Sequence, residues 1–309
     1  MGRRRLSANL AEHAVNTSGE AHLAAGDLRV TVAPAAGGRI AKFWRETPKG
    51  QVHILQPMGP AAFDPFNWPK AGCYPLVPFS NRVRDGRFVF DGRERRLPPH
   101  PGTSDALHGF TQRRAWTVAA KTASSLTMTH IHTPDEWDWA FTTSQLLDLT
   151  GDALTVTLTV KNLSDAPMPV GFGLHPYFAI ALGDRIAFDA AWNWAIDDGF
   201  IATKRDAKIT HYDAPQNTVG RTDYLSGWSR KATIARQDGT TIRMSASDAL
   251  DHFVFHVPEG GAYLCLEPVS HVADAFNLAP AGHAGTGLQV LAPGASVEAS
   301  VRMEIETQN

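Results

Sequence analysis

The amino-acid sequence predicts an all-β protein, a large antiparallel β-sandwich with few short helices. Apolar and polar residues alternate through long segments, and no window of comparable length has a helical stripe. Turn residues recur along the whole chain, which contains 26 glycines and 20 prolines. Alternation is typical of strands with one buried face, and frequent turns between short strands are typical of antiparallel sandwiches and barrels.

Two segments show the alternation most clearly. Between Leu154 and Val160, leucines and valines alternate with three threonines. Between Val297 and Ile305, apolar residues alternate with glutamate, serine and arginine. Each segment predicts a strand with one face in the core and the other in water.

Short turn sequences connect several of these predicted strands. Asp238–Gly239 separates two apolar runs, Asp91–Gly92 follows the apolar run 88–90, and Asp-Gly is a preferred dipeptide of two-residue hairpin turns. Residues 259–261, Glu-Gly-Gly, are a third turn candidate. These turns predict that the chain forms a succession of β-hairpins.

The 309 residues are long enough for a sizeable core and short enough for one all-β domain. We expect residues 1–22 to form a loose N-terminal extension and residues 23–309 to form a single domain. The Pro-rich and aromatic segment 56–81 lacks alternation, which indicates an ordered loop over a site. No apolar run near the N-terminus has the length of a signal peptide or a spanning helix, which favours a cytoplasmic protein.

Charge and cysteine content narrow the choice of partners. The 29 basic and 31 acidic residues give a net charge of -2, which provides no general attraction to nucleic acid or to anionic membranes. The two cysteines, Cys73 and Cys265, lie far apart in apolar segments, so we interpret them as buried thiols rather than a disulfide. The expected partner is a small molecule, bound by a monomer or a homodimer.

Four segments place polar side chains among apolar ones, where burial is costly unless the polar group has a partner or a function. Asn81 and Arg82 leave an apolar loop together; the guanidinium has the donors to bind sugar hydroxyls, and a structural ion pair explains it equally well. His108 lies at a turn, where a structural role is common. His175 lies in a Gly-rich, apolar run before a proline, and Glu267 ends an apolar strand, where burial would raise its carboxyl pKa.

No cofactor or metal site is expected from the motifs. His130 and His132 share one face of a predicted strand, but no third ligand stands near them at a recognisable spacing. The sequence contains neither a phosphate-binding glycine loop nor a dinucleotide fingerprint nor a nucleophile elbow. The remaining chemistry is that of a carboxylate and a histidine.

Taken in order, these segments resemble the aldose 1-epimerase, or galactose mutarotase, family. The matching motifs are Asn81-Arg82, His108-Gly-Phe, His175-Pro-Tyr-Phe, Glu267, and the run Ala-Asp-Ala-Phe-Asn at 273–277. They are spread over nearly the whole chain after the N-terminal extension. The resemblance implies the large β-sandwich fold of that family, in agreement with the periodicity.

The resemblance also implies roles for individual residues. Glu267 would be the base that removes the proton of the anomeric hydroxyl, and His175 the acid that protonates the ring oxygen. Arg82 and His108, next to Asn81, would bind the sugar. The family's sugar-binding aspartate would correspond to Asp223, although a turn or cap is an equal explanation for that residue.

Two other functions remain open. Arg84, Arg87, Arg113 and Arg114 lie near the two early motifs, and a hexose-6-phosphate 1-epimerase would need two or more of them to converge on its substrate. A carbohydrate-binding protein of the same fold would need no acid–base pair. Glu267 and His175 on opposite sides of one sugar-sized cleft would favour an enzyme over such a binder.

Overall fold

A computed structural model of the chain describes residues 19–206 and 212–307. Within these residues it contains 23 β-strands and one α-helix of four residues. The prediction of an all-β antiparallel fold with few short helices is therefore confirmed. In the same ranges, no helix has the length and apolar character needed to cross a membrane.

Seventeen strands form one continuous antiparallel sheet, which curls around the core. These strands are β1 (Ala21–Ala25), β2 (Leu28–Ala33), β3 (Arg39–Thr47), β4 (Gly50–His53), β5 (Cys73–Leu76), β10 (Thr117–Lys121), β11 (Ser125–His132), β12 (Phe141–Leu149), β13 (Ala153–Asn162), β15 (Gly173–Phe178), β16 (Arg185–Ile196), β17 (Ala202–Asp206), β18 (Thr222–Ala235), β19 (Thr240–Ala246), β20 (His252–His256), β21 (Leu264–Val269) and β23 (Ser296–Thr307).

Three two-stranded ladders and a few helical turns complete the described chain. The ladders are β6 (Arg82–Val83) with β9 (Ala106–Leu107), β7 (Arg87–Phe90) with β8 (Arg93–Arg96), and β14 (Met168–Val170) with β22 (Gln289–Leu291). The α-helix α1 spans Ala275–Leu278, and 3-10 turns span Pro34–Ala36, Arg84–Gly86, Thr111–Arg113 and Pro215–Thr218.

The strands and turns predicted from periodicity are present. The two alternating segments lie in β13 and β23, which pair with each other, and their apolar residues are buried except for the half-buried Val297. Asp91 and Gly92, at φ +52° and +69°, connect β7 to β8 in the left-handed conformation that this turn requires. The turn at 238–239 connects β18 to β19, and the turn at 259–261 lies between β20 and β21.

The segment 56–81 is not wholly a loop, because it contains β5. All four residues of β5 are buried, so the strand has no wet face and gives no alternating pattern. At the N-terminus, β1 begins at Ala21, two residues before the expected start of the domain. Residues 1–18 of the expected extension lie outside the described residues.

Five neighbouring strands position the candidate site. β15 pairs with β5 on one side and with β21 on the other, and β21 pairs with β20, which pairs in turn with β18. One face of these strands packs into the main apolar core. The other face carries a smaller cluster that includes Tyr74, Tyr177 and Cys265, and it forms the floor of a cleft.

Candidate active site

The cleft has a volume of about 290 Å³ and is lined by side chains from both halves of the chain. His175 and Glu267 lie in its floor, Asn81, Arg82 and His108 along one side, and Phe200 at its rim. This volume is at the small end of the roughly 300 to 1,000 Å³ range of ligand pockets. Five of the six site residues expected from the sequence therefore meet at one place.

His175 and Glu267 are direct neighbours across two paired strands. The β15–β21 register joins Gly173 to Val269 and Tyr177 to Cys265, which places His175 opposite Glu267. Facing side chains of an antiparallel pair lie on the same side of the sheet. Accordingly His175 Nε2 lies 3.3 Å from Glu267 Oε1, and the two groups are side by side rather than across the cleft from each other.

Burial strongly shifts both groups toward their neutral forms. Desolvation raises the pKa of the Glu267 carboxyl well above its usual range, with no opposing contribution. Desolvation, reinforced by the nearby His108 and Lys70, lowers the pKa of His175 well below its usual range. The pair therefore favours holding one proton, shared between carboxyl and imidazole, over either the doubly protonated or the fully deprotonated state.

Two tyrosines hold the His175 ring in place. The ring stacks on Tyr74 from the paired strand β5 at 4.7 Å between centroids, and on Tyr177 from its own strand at 4.5 Å. Arg39, fully buried, lies 4.3 Å from the Tyr74 ring centre and donates a hydrogen bond to Ala71 O at 3.0 Å. The imidazole is thus fixed by packing, and its Nδ1 has no hydrogen-bond partner among the described residues.

Asn81 and His108 form a reciprocal pair beside the acid–base groups. Both have positive φ, +55° and +59°, a conformation in which Asn and His are enriched among non-glycine residues. Asn81 N–H donates to His108 Nδ1 at 3.1 Å, and His108 N–H donates to Asn81 O at 2.8 Å. Burial lowers the pKa of His108 well below its usual range, so the neutral ring has its proton on Nε2.

Arg82 lies in the wall of the cleft and has an acidic partner. Its guanidinium is 3.6 Å from Asp105 and 5.9 Å from the centre of the Phe200 ring. Arg82 therefore forms the structural ion pair that the sequence suggested and also lines the cleft, where it can bind a sugar. The ion pair orients its side chain. The Tyr224 hydroxyl lies 3.2 Å from Asn81 Oδ1 and 2.8 Å from Phe200 O, so it contacts the neighbouring amide in the same wall.

Asp223 does not reach the cleft, contrary to the prediction. It lies in β18 between Thr222 and Tyr224, which both line the cleft, and successive strand residues point to opposite faces. Its carboxylate binds Arg221, with Nη2 to Oδ1 at 3.1 Å, beside Tyr212. Asp223 is therefore part of a structural ion pair behind the sheet and has no place in the proposed sugar site.

Several side chains that line the cleft were not expected from the sequence. Trp68 and Lys70 come from the segment 56–81, and the Lys70 ammonium lies 4.6 Å from the Trp68 ring centre. His256 Nδ1 and Thr222 Oγ1 form a 2.8 Å hydrogen bond on the opposite wall. Strand alternation applied to β18 could have selected Thr222 and Tyr224 instead of the residue between them; no local pattern distinguishes Lys70.

The four arginines that motivated the phosphosugar alternative do not converge on the cleft. Arg84 contacts Asp197 at 2.7 Å, and Arg114 contacts Asp135 at 2.7 Å. Arg113 lies 3.3 Å from Glu136, and Arg87 lies on the two-stranded ladder. None of the four lines the cleft, and three are neutralised by carboxylates.

The two histidines considered as a metal pair are engaged elsewhere. His130 Nδ1 lies 3.2 Å from Ala115 O, and the buried His132 Nε2 lies 3.1 Å from Trp137 O. Both cysteines are buried and unpaired, as the sequence predicted.

Comparison with known proteins places the chain among sugar epimerases. The family model described as aldose 1-epimerase matches residues 21–304. The uncharacterized protein YphB of Escherichia coli (strain K12) is 31% identical over 300 residues, covering 92% of this chain and 98% of YphB.

Solved structures agree with this result. A crystal structure from Escherichia coli K12, described as a candidate aldose 1-epimerase, has a TM-score of 0.83 and 29% identity, and the match covers 94% of this chain and 99% of that one. A galactose mutarotase-like protein from Clostridium acetobutylicum has the same fold, with a TM-score of 0.80, 22% identity and coverage of 93% and 95%.

Proposed function

Since the chain belongs to the aldose 1-epimerase family, we propose that it interconverts the α and β anomers of a free monosaccharide by opening and reclosing the sugar ring. The observation that supports this most directly is the 3.3 Å contact between His175 Nε2 and Glu267 Oε1 in the floor of a cleft. Ring opening needs one proton acceptor and one proton donor, and this pair supplies both.

In the proposed mechanism Glu267 accepts the proton of the anomeric hydroxyl while His175 donates a proton to the ring oxygen. The C1–O5 bond breaks and C1 becomes the carbonyl carbon of the open-chain aldehyde. Rotation about the C1–C2 bond presents the other carbonyl face to the C5 hydroxyl. Ring closure then returns both protons, with the donor and acceptor roles exchanged as microscopic reversibility requires.

Side-by-side placement of the two groups suits this reaction. The anomeric oxygen and the ring oxygen are bonded to the same carbon, so an acid and a base that serve them must also be close neighbours. The reaction also needs the pair to hold one proton. With that proton on His175 the pair is a carboxylate and an imidazolium, and with it on Glu267 the pair is a neutral acid and a neutral imidazole, so the two forms differ only in where the proton lies.

The other lining groups supply contacts for the sugar hydroxyls. His108 Nε2–H and the Arg82 guanidinium are donors beside Asn81, and they can orient the ring over the acid–base pair. Lys70 and Trp68 also line the cleft, where an ammonium and an indole can contact hydroxyls and a ring face. The small volume favours one sugar ring over an oligosaccharide.

The two alternatives have less support. A phosphosugar would need a cluster of free cations, and the arginines near the early motifs are paired outside the cleft. A protein that only binds carbohydrate has no use for a carboxyl and an imidazole whose pKa values are both strongly shifted at one contact.

Polarimetry of freshly dissolved α anomers tests the proposal. Purified protein should accelerate equilibration of at least one of glucose, galactose and arabinose, and should be slower with glucose 6-phosphate. A higher kcat/KM for glucose 6-phosphate would favour the phosphosugar epimerase. No acceleration with any aldose, together with measurable sugar binding, would favour the binding protein.

A further inference from the structure

A thiol lies next to the proposed acid–base pair. Cys265 is two residues from Glu267 on β21, so both side chains point to the same face of the sheet. Cys265 is also the register partner of Tyr177, two positions from His175. One ligand atom from each of His175, Cys265 and Glu267 lies within 4.8 Å of the other two.

These distances approach those of a tetrahedral metal site. Two ligands about 2.0 Å from a tetrahedral zinc ion lie about 3.3 Å apart. The separation of His175 Nε2 and Glu267 Oε1 is 3.3 Å, which already equals this edge. The sulfur lies no more than 4.8 Å from one ligand atom of His175 and one of Glu267, so a shift of about 1 Å would bring it to the third corner.

All three groups are free to act as ligands. Among the described residues Glu267 makes no hydrogen bond besides its contact with His175, and Cys265 is an unpaired thiol. A dipositive ion bound by one thiolate, one carboxylate and one neutral imidazole forms a complex without net charge, which burial tolerates far better than an uncompensated charge. His175 and Glu267 line the cleft, from which water or a sugar hydroxyl can supply the fourth ligand.

We propose that His175, Cys265 and Glu267 form an inhibitory binding site for a thiophilic divalent cation such as Zn²⁺ or Cd²⁺. The thiol proton and the proton shared by His175 and Glu267 both leave to solvent on binding, the neutral imidazole keeps its remaining proton on Nδ1, and the metal occupies the lone pairs of Nε2 and Oε1. Neither group can then exchange a proton with a sugar, so occupation of the site stops epimerisation. The inhibition goes beyond the proposed function, although its kinetic test depends on that function.

The kinetic test compares the chain's two cysteines. Cys73 is equally buried but pairs with Pro176, next to His175, and therefore points to the opposite face of the sheet. Metal is first removed from the protein with a chelator, and the protein is then titrated with Zn²⁺, Cd²⁺ and Mg²⁺. The epimerisation rate of each variant is compared with the rate of the same variant without metal. Zn²⁺ and Cd²⁺ should inhibit epimerisation reversibly, and Mg²⁺ should not inhibit it. A saturating concentration of sugar should protect the protein from inhibition.

Loss of even an outer-shell partner costs about 10- to 100-fold in metal affinity, so loss of a ligand should cost at least about 10-fold. Cys265→Ser should therefore raise the inhibition constant at least about 10-fold, whereas Cys73→Ser should leave it at the parent value. Equal inhibition of the parent and Cys265→Ser would overturn the proposal. Cys265→Ala provides a second variant if serine disturbs folding.

Cadmium binding provides a readout that needs no enzymatic activity. The parent and Cys73→Ser should bind one Cd²⁺ with a thiolate-to-metal absorption band in the ultraviolet, and Cys265→Ser should lose the band. Glu267→Gln should keep the thiol but bind Cd²⁺ more weakly. A band of equal strength in Cys265→Ser, or unchanged affinity in Glu267→Gln, would contradict the site even if the protein proved not to be an epimerase.

Discussion

His175 and Glu267 are partners on adjacent antiparallel strands, with 3.3 Å between Nε2 and Oε1. The register therefore fixes the separation of the proposed acid and base, and neither side chain lies on a loop. Stacking on Tyr74 and Tyr177 fixes the orientation of the imidazole as well. Preorganisation of this kind lowers the cost of aligning proton donor, acceptor and substrate.

The pair should give a bell-shaped dependence of kcat/KM on pH. The acid limb reports addition of a second proton to the pair, and it should lie below the ordinary histidine pKa because burial disfavours imidazolium. The alkaline limb reports removal of the last proton, and it should lie well above the ordinary carboxyl pKa because burial disfavours carboxylate. Polarimetric rates across the pH range measure both limbs.

A profile that rises through the ordinary histidine pKa of about 6.5 and then stays level would contradict this description. It would indicate a solvated histidine that acts alone, without a partner carboxyl.

His271 should make stability dependent on pH. Its Nε2 accepts a hydrogen bond from Ser80 N–H at 3.1 Å, and its Nδ1 lies 2.7 Å from Val272 O. Burial lowers its pKa from 6.5 to about 4, so the unfolded chain binds a proton more tightly than the folded one. This contribution to stability is present above pH 6.5 and is lost as the pH falls toward 4.

Urea unfolding at pH 7 and pH 5 tests the effect. Between these pH values the parent should lose about 2 kcal/mol more free energy of unfolding than His271→Gln does. The exposed His283→Gln is the matched control and should behave like the parent. The same pH dependence in His271→Gln as in the parent would show that protonation of His271 does not limit stability.

Lys70→Met should weaken substrate binding more than it slows the chemistry. Lys70 lines the cleft beside Trp68 and forms no ion pair in the part of the chain that the structure describes. Methionine keeps much of the apolar stem but removes the donors. Loss of a hydrogen bond from a charged donor costs about 1.5 to 3 kcal/mol, so KM should rise on the order of 10- to 100-fold with kcat changed less.

Initial rates over a range of sugar concentrations measure this split, with the exposed Lys49→Met as control. Kinetics of Lys70→Met equal to those of Lys49→Met would remove Lys70 from the sugar site.

Periodicity predicted the fold because most strands have one wet face. β13 and β23 show this directly, and the Asp-Gly turns fixed two hairpins. β5 was missed because it is buried on both faces, and a strand without a polar face has no alternating pattern.

Site residues could be predicted where a polar group interrupts an apolar run, as at His175 and Glu267. Asp223 was expected in the cleft, but its neighbours Thr222 and Tyr224 line the cleft instead. A difference of one residue along a strand moves a side chain to the other face of the sheet. Lys70 could not be predicted from the sequence, because its position in the cleft depends on long-range contacts of the segment 56–81, such as the hydrogen bond from Arg39 to Ala71 O. Long-range contacts of this kind leave no local pattern.

The acid–base pair should behave as a unit under mutation. Glu267→Gln and His175→Asn each remove one partner of a coupled proton transfer. The double variant should therefore be much less impaired than the product of the two single losses suggests. Independent, multiplicative losses would indicate that the two residues act in separate steps.

The rate of anomer exchange in Glu267→Gln tests the account most directly. Glutamine keeps the size of glutamate but cannot accept the anomeric proton, and general base catalysis contributes about 10² to 10⁴-fold. With folding verified, and with Glu259→Gln in an exposed turn as the control, kcat should fall within that range while sugar binding is largely retained. A folded Glu267→Gln that equilibrates every substrate of the parent at nearly the parental rate would contradict the assignment of Glu267 as the base.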